Sequence, residues 1–83
     1  MFYTYILKSI NFNRFYIGHS SDLQKRLRDH NSGLVKSTKR FLPWKIIYTE
    51  IFKSKSEAYR RELIIKSYKS GNAFKVLLKN SGG

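Results

Sequence analysis

The chain has 83 residues, enough for one domain around one small core. Seventeen Lys and Arg oppose five Asp and Glu, a formal charge of +12, and there is no cysteine. Disulfides and a cysteine-based zinc site are therefore excluded, and no apolar run reaches the roughly 18 residues of a membrane span.

Such a one-sided charge repels itself in a compact domain, so a polyanionic partner is the direct reading. Nucleic acid comes first, ahead of solubility alone, an acidic protein or an anionic membrane surface. The chain enters alternating, strand-like sequence at once and lacks the charged-then-apolar build of a leader. With no cysteine to oxidise, the cytoplasm is the expected compartment.

Phe2 to Leu7 alternates in β-forming residues and reads as a strand. Ser9 to Asn13 suits a hairpin turn, and Arg14 to Gly18 a second strand, antiparallel to the first. Ser20-Ser21-Asp22 marks a helix start, with Ser21 and Gln24 as a capping box; the helix runs to about His30 and stops at Asn31-Ser32-Gly33. Leu34 to Leu42 is a basic loop, and Trp44 to Phe52 a third strand. Ser54 and Glu57 form a second capping box, opening a helix to about Lys69. Gly71 breaks it, Ala73 to Lys79 fits a short last helix, and residues 81–83 form a loose tail after a domain of residues 1–80. The order β-β-α-β-α, with a possible further α, gives an α+β fold: a small sheet covered by helices.

Several polar residues fall on faces that should be apolar. In the first helix Leu23, Arg26, Leu27 and His30 share one face, so Arg26 and His30 lie along the buried stripe. Either they are structural, a snorkelling Arg and a hydrogen-bonded core-edge His, or they are put to use. In the next helix Glu62 lies between Ala58 and Ile65 on the wheel. It is either a surface acid paired with Lys66 or Arg61, or a cation site.

The other acids have local readings: Asp22 in a first helical turn, Asp29 solvated, Glu50 late in a strand, Glu57 in a capping box. Glu62 has none. Tyr5 and Tyr16 face the same way if the hairpin register is regular, as core residues or as site residues.

Together these positions resemble the GIY-YIG nuclease family, within it the small single-domain UPF0213 and excision-nuclease-like group. The likeness is carried by Tyr3-Thr4-Tyr5, Tyr16-Ile17-Gly18, the run from Asp22 to Asn31, and Arg61-Glu62 within Glu57 to Glu62. It spans residues 2 to about 70, and the four pieces in order are far more specific than any one. The first triplet departs from the name-giving pattern, with Tyr and Thr in place of Gly and Ile.

The resemblance implies a three-stranded antiparallel sheet flanked by helices. It also implies phosphodiester hydrolysis with one divalent metal, Mg²⁺ or Mn²⁺. By resemblance Glu62 binds the metal, Arg26 contacts the scissile phosphate, and Tyr5 or Tyr16 positions or deprotonates the attacking water. His19 stands where relatives carry Lys or another polar group, and His30 where they carry Tyr or His. Some members add an asparagine, for which Asn72 and Asn80 are candidates here.

The expected function is a DNA endonuclease with weak sequence preference and a leaning toward DNA structure. Phosphate tracking is expected from His19, Lys36, Lys39, Arg40, Arg61 and Lys66, with Arg60 and Lys69 nearby; a solvated basic surface is the plain alternative. Two competing functions share that surface: a non-catalytic nucleic-acid-binding module, and an RNA-binding accessory protein that stacks bases. A binding-only protein has no need of an acid facing phosphate, which favours the enzyme.

Overall fold

The computed structural model describes residues 1–69 and 71–81, without the side chains of residues 80 and 81. Strands β1 (Phe2–Ser9) and β2 (Phe15–Ser20) form an antiparallel hairpin. Strand β3 (Trp44–Phe52) pairs antiparallel with the other edge of β1, so the order is β2-β1-β3. Helix α1 (Leu23–Asn31) follows the hairpin, while α2 (Lys55–Ser67) and α3 (Asn72–Ser81) follow β3. The α+β class and the three-stranded antiparallel sheet agree with expectation.

The boundaries differ where side chains close turns. β1 continues to Ser9, whose buried hydroxyl donates to the Phe41 carbonyl at 2.7 Å and accepts from Phe12 N–H at 3.1 Å. β2 reaches Ser20 because His19 and Ser20 still pair with Thr4 and Tyr3.

The α1 cap is Asp22, not Ser21 with Gln24 as its box partner. The Ser20 hydroxyl accepts from Asp22 N–H at 3.0 Å and closes the preceding turn. Extended Asp22 then accepts from Lys25 N–H at 3.1 Å. Gly33, at φ +82°, takes the left-handed conformation that ends this helix.

Ser54 caps α2 as expected, accepting from Glu57 N–H at 3.2 Å. That helix ends at Ser67, because Tyr68 and Lys69 tighten into shorter-range bonds to Ile65 and Lys66 and Lys69 turns to φ +50°. Ser81 closes α3, and the expected tail residues 82 and 83 lie outside the described residues.

Strand alternation divides the buried residues between two faces. Tyr5, Leu7 and Trp44 form one core, covered by Leu23 and Leu27 of α1 with Leu42 and Ile46. Ile6, Ile65 and Phe74 form the other, packed by Phe15, Ile17, Tyr48 and Leu77 beneath α2 and α3. A register shift at Ile6/Leu7 lets β3 send Ile46 to the first core and Tyr48 to the second. Each fully buried aliphatic or aromatic side chain stabilises the domain by about 1.5–3 kcal/mol. Among the described residues, no helix is long and apolar enough to cross a membrane.

Candidate functional site

The hairpin register fixes the centre of the site. Tyr5 pairs with Gly18 and Leu7 with Tyr16, which puts both tyrosines on the α1 face, ring centroids 6.3 Å apart. A Cβ on Gly18 would approach the Tyr5 hydroxyl oxygen to 2.6 Å and Tyr16 Cε2 to 3.0 Å. The missing side chain is what lets the Tyr5 ring lie across β2.

A buried chain of hydrogen bonds holds that ring. The Thr38 hydroxyl donates to the Val35 carbonyl at 3.3 Å, so its oxygen accepts from His30 Nδ1–H at 2.8 Å. His30 Nε2 is then the acceptor, and the Tyr5 hydroxyl donates to it at 3.2 Å. His30 is fully buried, and burial, with Arg26⁺ nearby, lowers its pKa to about 4, so the ring is neutral. Burial likewise raises Tyr5 to about 12 against the opposing pull of Arg26.

Thr38 is itself pinned: it is 1% exposed, and its carbonyl accepts from Trp44 Nε1–H at 3.0 Å. Asn31 ties the end of α1 to the start of β3, donating to the Trp44 carbonyl at 3.0 Å. Neither Thr38 nor Asn31 was singled out as a site-supporting residue from the sequence. Asn31 is part of the helix stop and Thr38 sits in an irregular loop, so no periodicity marks them.

Arg26 projects from α1 onto the same pair of hydroxyls. Its guanidinium interacts with Tyr5 and, more weakly, with Tyr16. Asp29, half-buried rather than solvated, lies 3.8 Å from Arg26 Nη1 and 3.3 Å from Lys25 Nζ. The Arg26 side chain keeps 37% exposure, which leaves donors for an incoming phosphate.

Glu62 enters from the opposite helix. It is 7% exposed, between Ala58 and Ile65 on the buried face of α2, as the wheel implied. Its Oε1 accepts from His19 Nδ1–H at 2.6 Å and its Oε2 from Lys66 Nζ at 2.6 Å. The acid acts on Tyr5 through space, and Tyr16 on Lys66. Tyr5 is thus within electrostatic reach of Arg26, Tyr16 and Glu62 alike, with Gly18 between Tyr16 and His19 on β2.

Glu62 is the residue that could hold a hard cation here. Among the described residues no group of three or more His, Cys, Asp or Glu forms a cage. One carboxylate suits Mg²⁺, which keeps most of its waters. Both Glu62 oxygens are engaged, by His19 and Lys66, whose side chains are 22% and 48% exposed.

The remaining expected cations divide. Lys36 is exposed on the loop after α1, and Lys39 and Arg40 are exposed on a short 3-10 turn, Lys39–Phe41, where the Arg40 guanidinium lies 5.9 Å from the Phe41 ring. Arg61 turns away. Its Nε donates to both oxygens of Glu50 at 3.0 Å, and Tyr48 donates to the same carboxylate. Glu50, without a sequence neighbour to give it a role, is thereby explained by a partner on another element. Asn72 is exposed at the start of α3, and the side chain of Asn80 lies outside the described residues.

The model of the GIY-YIG catalytic domain matches residues 1–75. A UPF0213 protein of Staphylococcus haemolyticus is 38% identical over 76 residues, covering 90% of this chain and 92% of that one. A UPF0213 protein of Streptococcus pneumoniae is 38% identical over 79 residues, 94% of this chain and 79% of the relative. The solution NMR structure of a UPF0213 protein from Bacillus halodurans superposes with a TM-score of 0.61 at 33% identity, covering 100% of this chain and 88% of that one.

Proposed function

The chain belongs to the GIY-YIG family, a nuclease-type family, and we propose on that premise that it is a divalent-metal-dependent DNA endonuclease. One observation carries the reading: the Tyr5 hydroxyl and the Tyr16 ring lie against Gly18, and Tyr5 feels the Arg26 guanidinium and the buried Glu62 carboxylate, each from a different segment. A carboxylate and a guanidinium beside a small core cost free energy to desolvate, which supports their use in function.

Glu62 is the proposed anchor for one Mg²⁺ or Mn²⁺, which when bound supplies Lewis-acid stabilisation at the phosphate. Arg26 offers a fork of donors to the scissile phosphate and holds its charge at any working pH. Tyr16 is the proposed partner of the attacking water. It is half-buried and reaches solvent, whereas Tyr5 is 2% exposed and its proton is committed to His30. Tyr5 and His30 are positioning residues: they set the floor on which Arg26 and Tyr16 rest.

Lys36, Lys39 and Arg40 extend the positive surface along the strand backbone, giving affinity without reading bases. The cytoplasm is the proposed compartment. The competing reading, a non-catalytic nucleic-acid-binding module, draws on the two groups already bound to Glu62.

Incubating supercoiled plasmid, branched DNA and RNA with wild-type protein and Mg²⁺ or Mn²⁺ separates the readings. The nuclease reading expects cuts in DNA, lost in Arg26→Ala and Glu62→Ala, with DNA affinity kept or raised in Glu62→Ala because a negative charge is removed. Equal cutting by wild type and Glu62→Ala contradicts it, and cleavage confined to RNA contradicts the choice of DNA.

A further inference from the structure

Beside His19 lies an open surface cavity of about 500 Å³, lined by His19, Lys55, Ser56 and Tyr59. Its walls are chiefly apolar and no acid lines it. Tyr59 belongs to neither core: it sits one step round α2 from buried Ala58 and is 47% exposed. Its ring stands 5.3 Å from the His19 ring at 60°, and His19 in turn bonds Glu62. One imidazole therefore separates the proposed metal anchor from an open aromatic wall. Lys55, one turn before Tyr59 on α2, adds a cationic side chain to the lining.

An aromatic wall with a cation beside it matches the two parts of a nucleotide: a planar base that stacks and a phosphate that pairs. A polyanionic strand also suits a chain of charge +12 better than an acid-free apolar plug does. Bases inside a duplex cannot reach such a wall without unstacking, whereas an unpaired base reaches it at little cost.

We propose that this cavity receives an unpaired base of the DNA strand next to the scissile phosphate, so that the domain selects DNA with a single-stranded nucleotide beside the cut. The location of the phosphate rests on the nuclease reading. The cavity itself is tested by binding alone.

The full chain is titrated, without divalent metal, against labelled duplexes by fluorescence anisotropy. The duplexes are blunt, carry a short single-stranded extension, or carry an extension of equal charge made of abasic sugars. Wild type is expected to bind the base-bearing extension roughly tenfold tighter than the abasic one, the scale of a single stacked base. Tyr59→Phe keeps that ratio, and Tyr59→Leu loses it while binding blunt duplex as wild type does. Equal affinity of wild type for both extensions overturns the proposal, as does an unchanged ratio in Tyr59→Leu; the cavity would then be left to a protein partner or to none. A base preference in a protein that cuts no DNA would keep the cavity and sink the nuclease reading instead.

Discussion

The Tyr5 hydroxyl occupies the space a Gly18 side chain would need, 2.6 Å from an added Cβ, so the glycine of β2 and the pose of Tyr5 are a single feature. Gly18→Ala must push the ring off its line to His30 Nε2. Overpacking of this kind costs about 1–3 kcal/mol, and a displacement near 1 Å at a reacting centre lowers rate on the order of 100-fold. Urea denaturation and a nicking assay read the two effects. Wild-type stability and rate in Gly18→Ala would mean that the hydroxyl position does not matter.

The two tyrosines should separate on removal of one oxygen each. Tyr16→Phe takes away the hydroxyl of the half-buried ring and should lower cleavage by about 10²-fold or more, the scale of a proton-transfer group, with stability little changed. Tyr5→Phe leaves the ring in place and the His30 Nε2 acceptor without its donor. It should lose about 1 kcal/mol of stability and a smaller part of the rate. A larger rate loss for Tyr5→Phe than for Tyr16→Phe reverses the assignment.

His30 makes stability depend on pH. Its folded pKa of about 4 lies below the unfolded value of 6.5, so the unfolded chain binds the extra proton between them. The stabilisation is whole above pH 6.5 and is lost as pH falls toward 4, on the order of 3 kcal/mol at most. Denaturation midpoints from pH 7 to pH 4 should fall more steeply for wild type than for His30→Gln, which lacks the titrating ring. Parallel profiles would show that His30 takes up its proton in the folded state.

Arg61 and the loop cations should respond differently to the same test. Arg61→Ala strips Glu50 of a half-buried bifurcated hydrogen bond, at a cost of about 1–2 kcal/mol, and should leave the salt dependence of DNA binding unchanged. Lys36→Ala, Lys39→Ala and Arg40→Ala should do the reverse, each lowering the slope of log affinity against log salt by up to about 1. Affinities indifferent to salt in the wild type would remove phosphate tracking altogether.

Local signals in the sequence were enough to place much of this site. Alternation in β1 and β2 put Tyr5 and Tyr16 on one face, and the helical wheel set Glu62 between Ala58 and Ile65; both depend only on neighbours within a few residues. The α1 cap was off by one because Ser20, Ser21 and Asp22 are all competent caps and the choice falls to the hydrogen bond between Ser20 and Asp22. Pairings between elements were out of reach. Arg61 with Glu50, His19 with Glu62, and His30 with Thr38 join side chains whose distance is set by packing. The sequence likewise marked Glu62 as either paired or functional; the fold supplies Lys66 as one partner and His19 as the unforeseen other.

The most direct measurement is the initial rate of plasmid nicking as Mg²⁺ is raised, for wild type beside Glu62→Gln, a substitution that keeps the shape and removes the charge. Wild type should rise from background to a plateau, and Glu62→Gln should stay at background throughout. If the variant nicks as fast as wild type at every Mg²⁺ concentration, or wild type never departs from background on any DNA, this carboxylate anchors no catalytic metal.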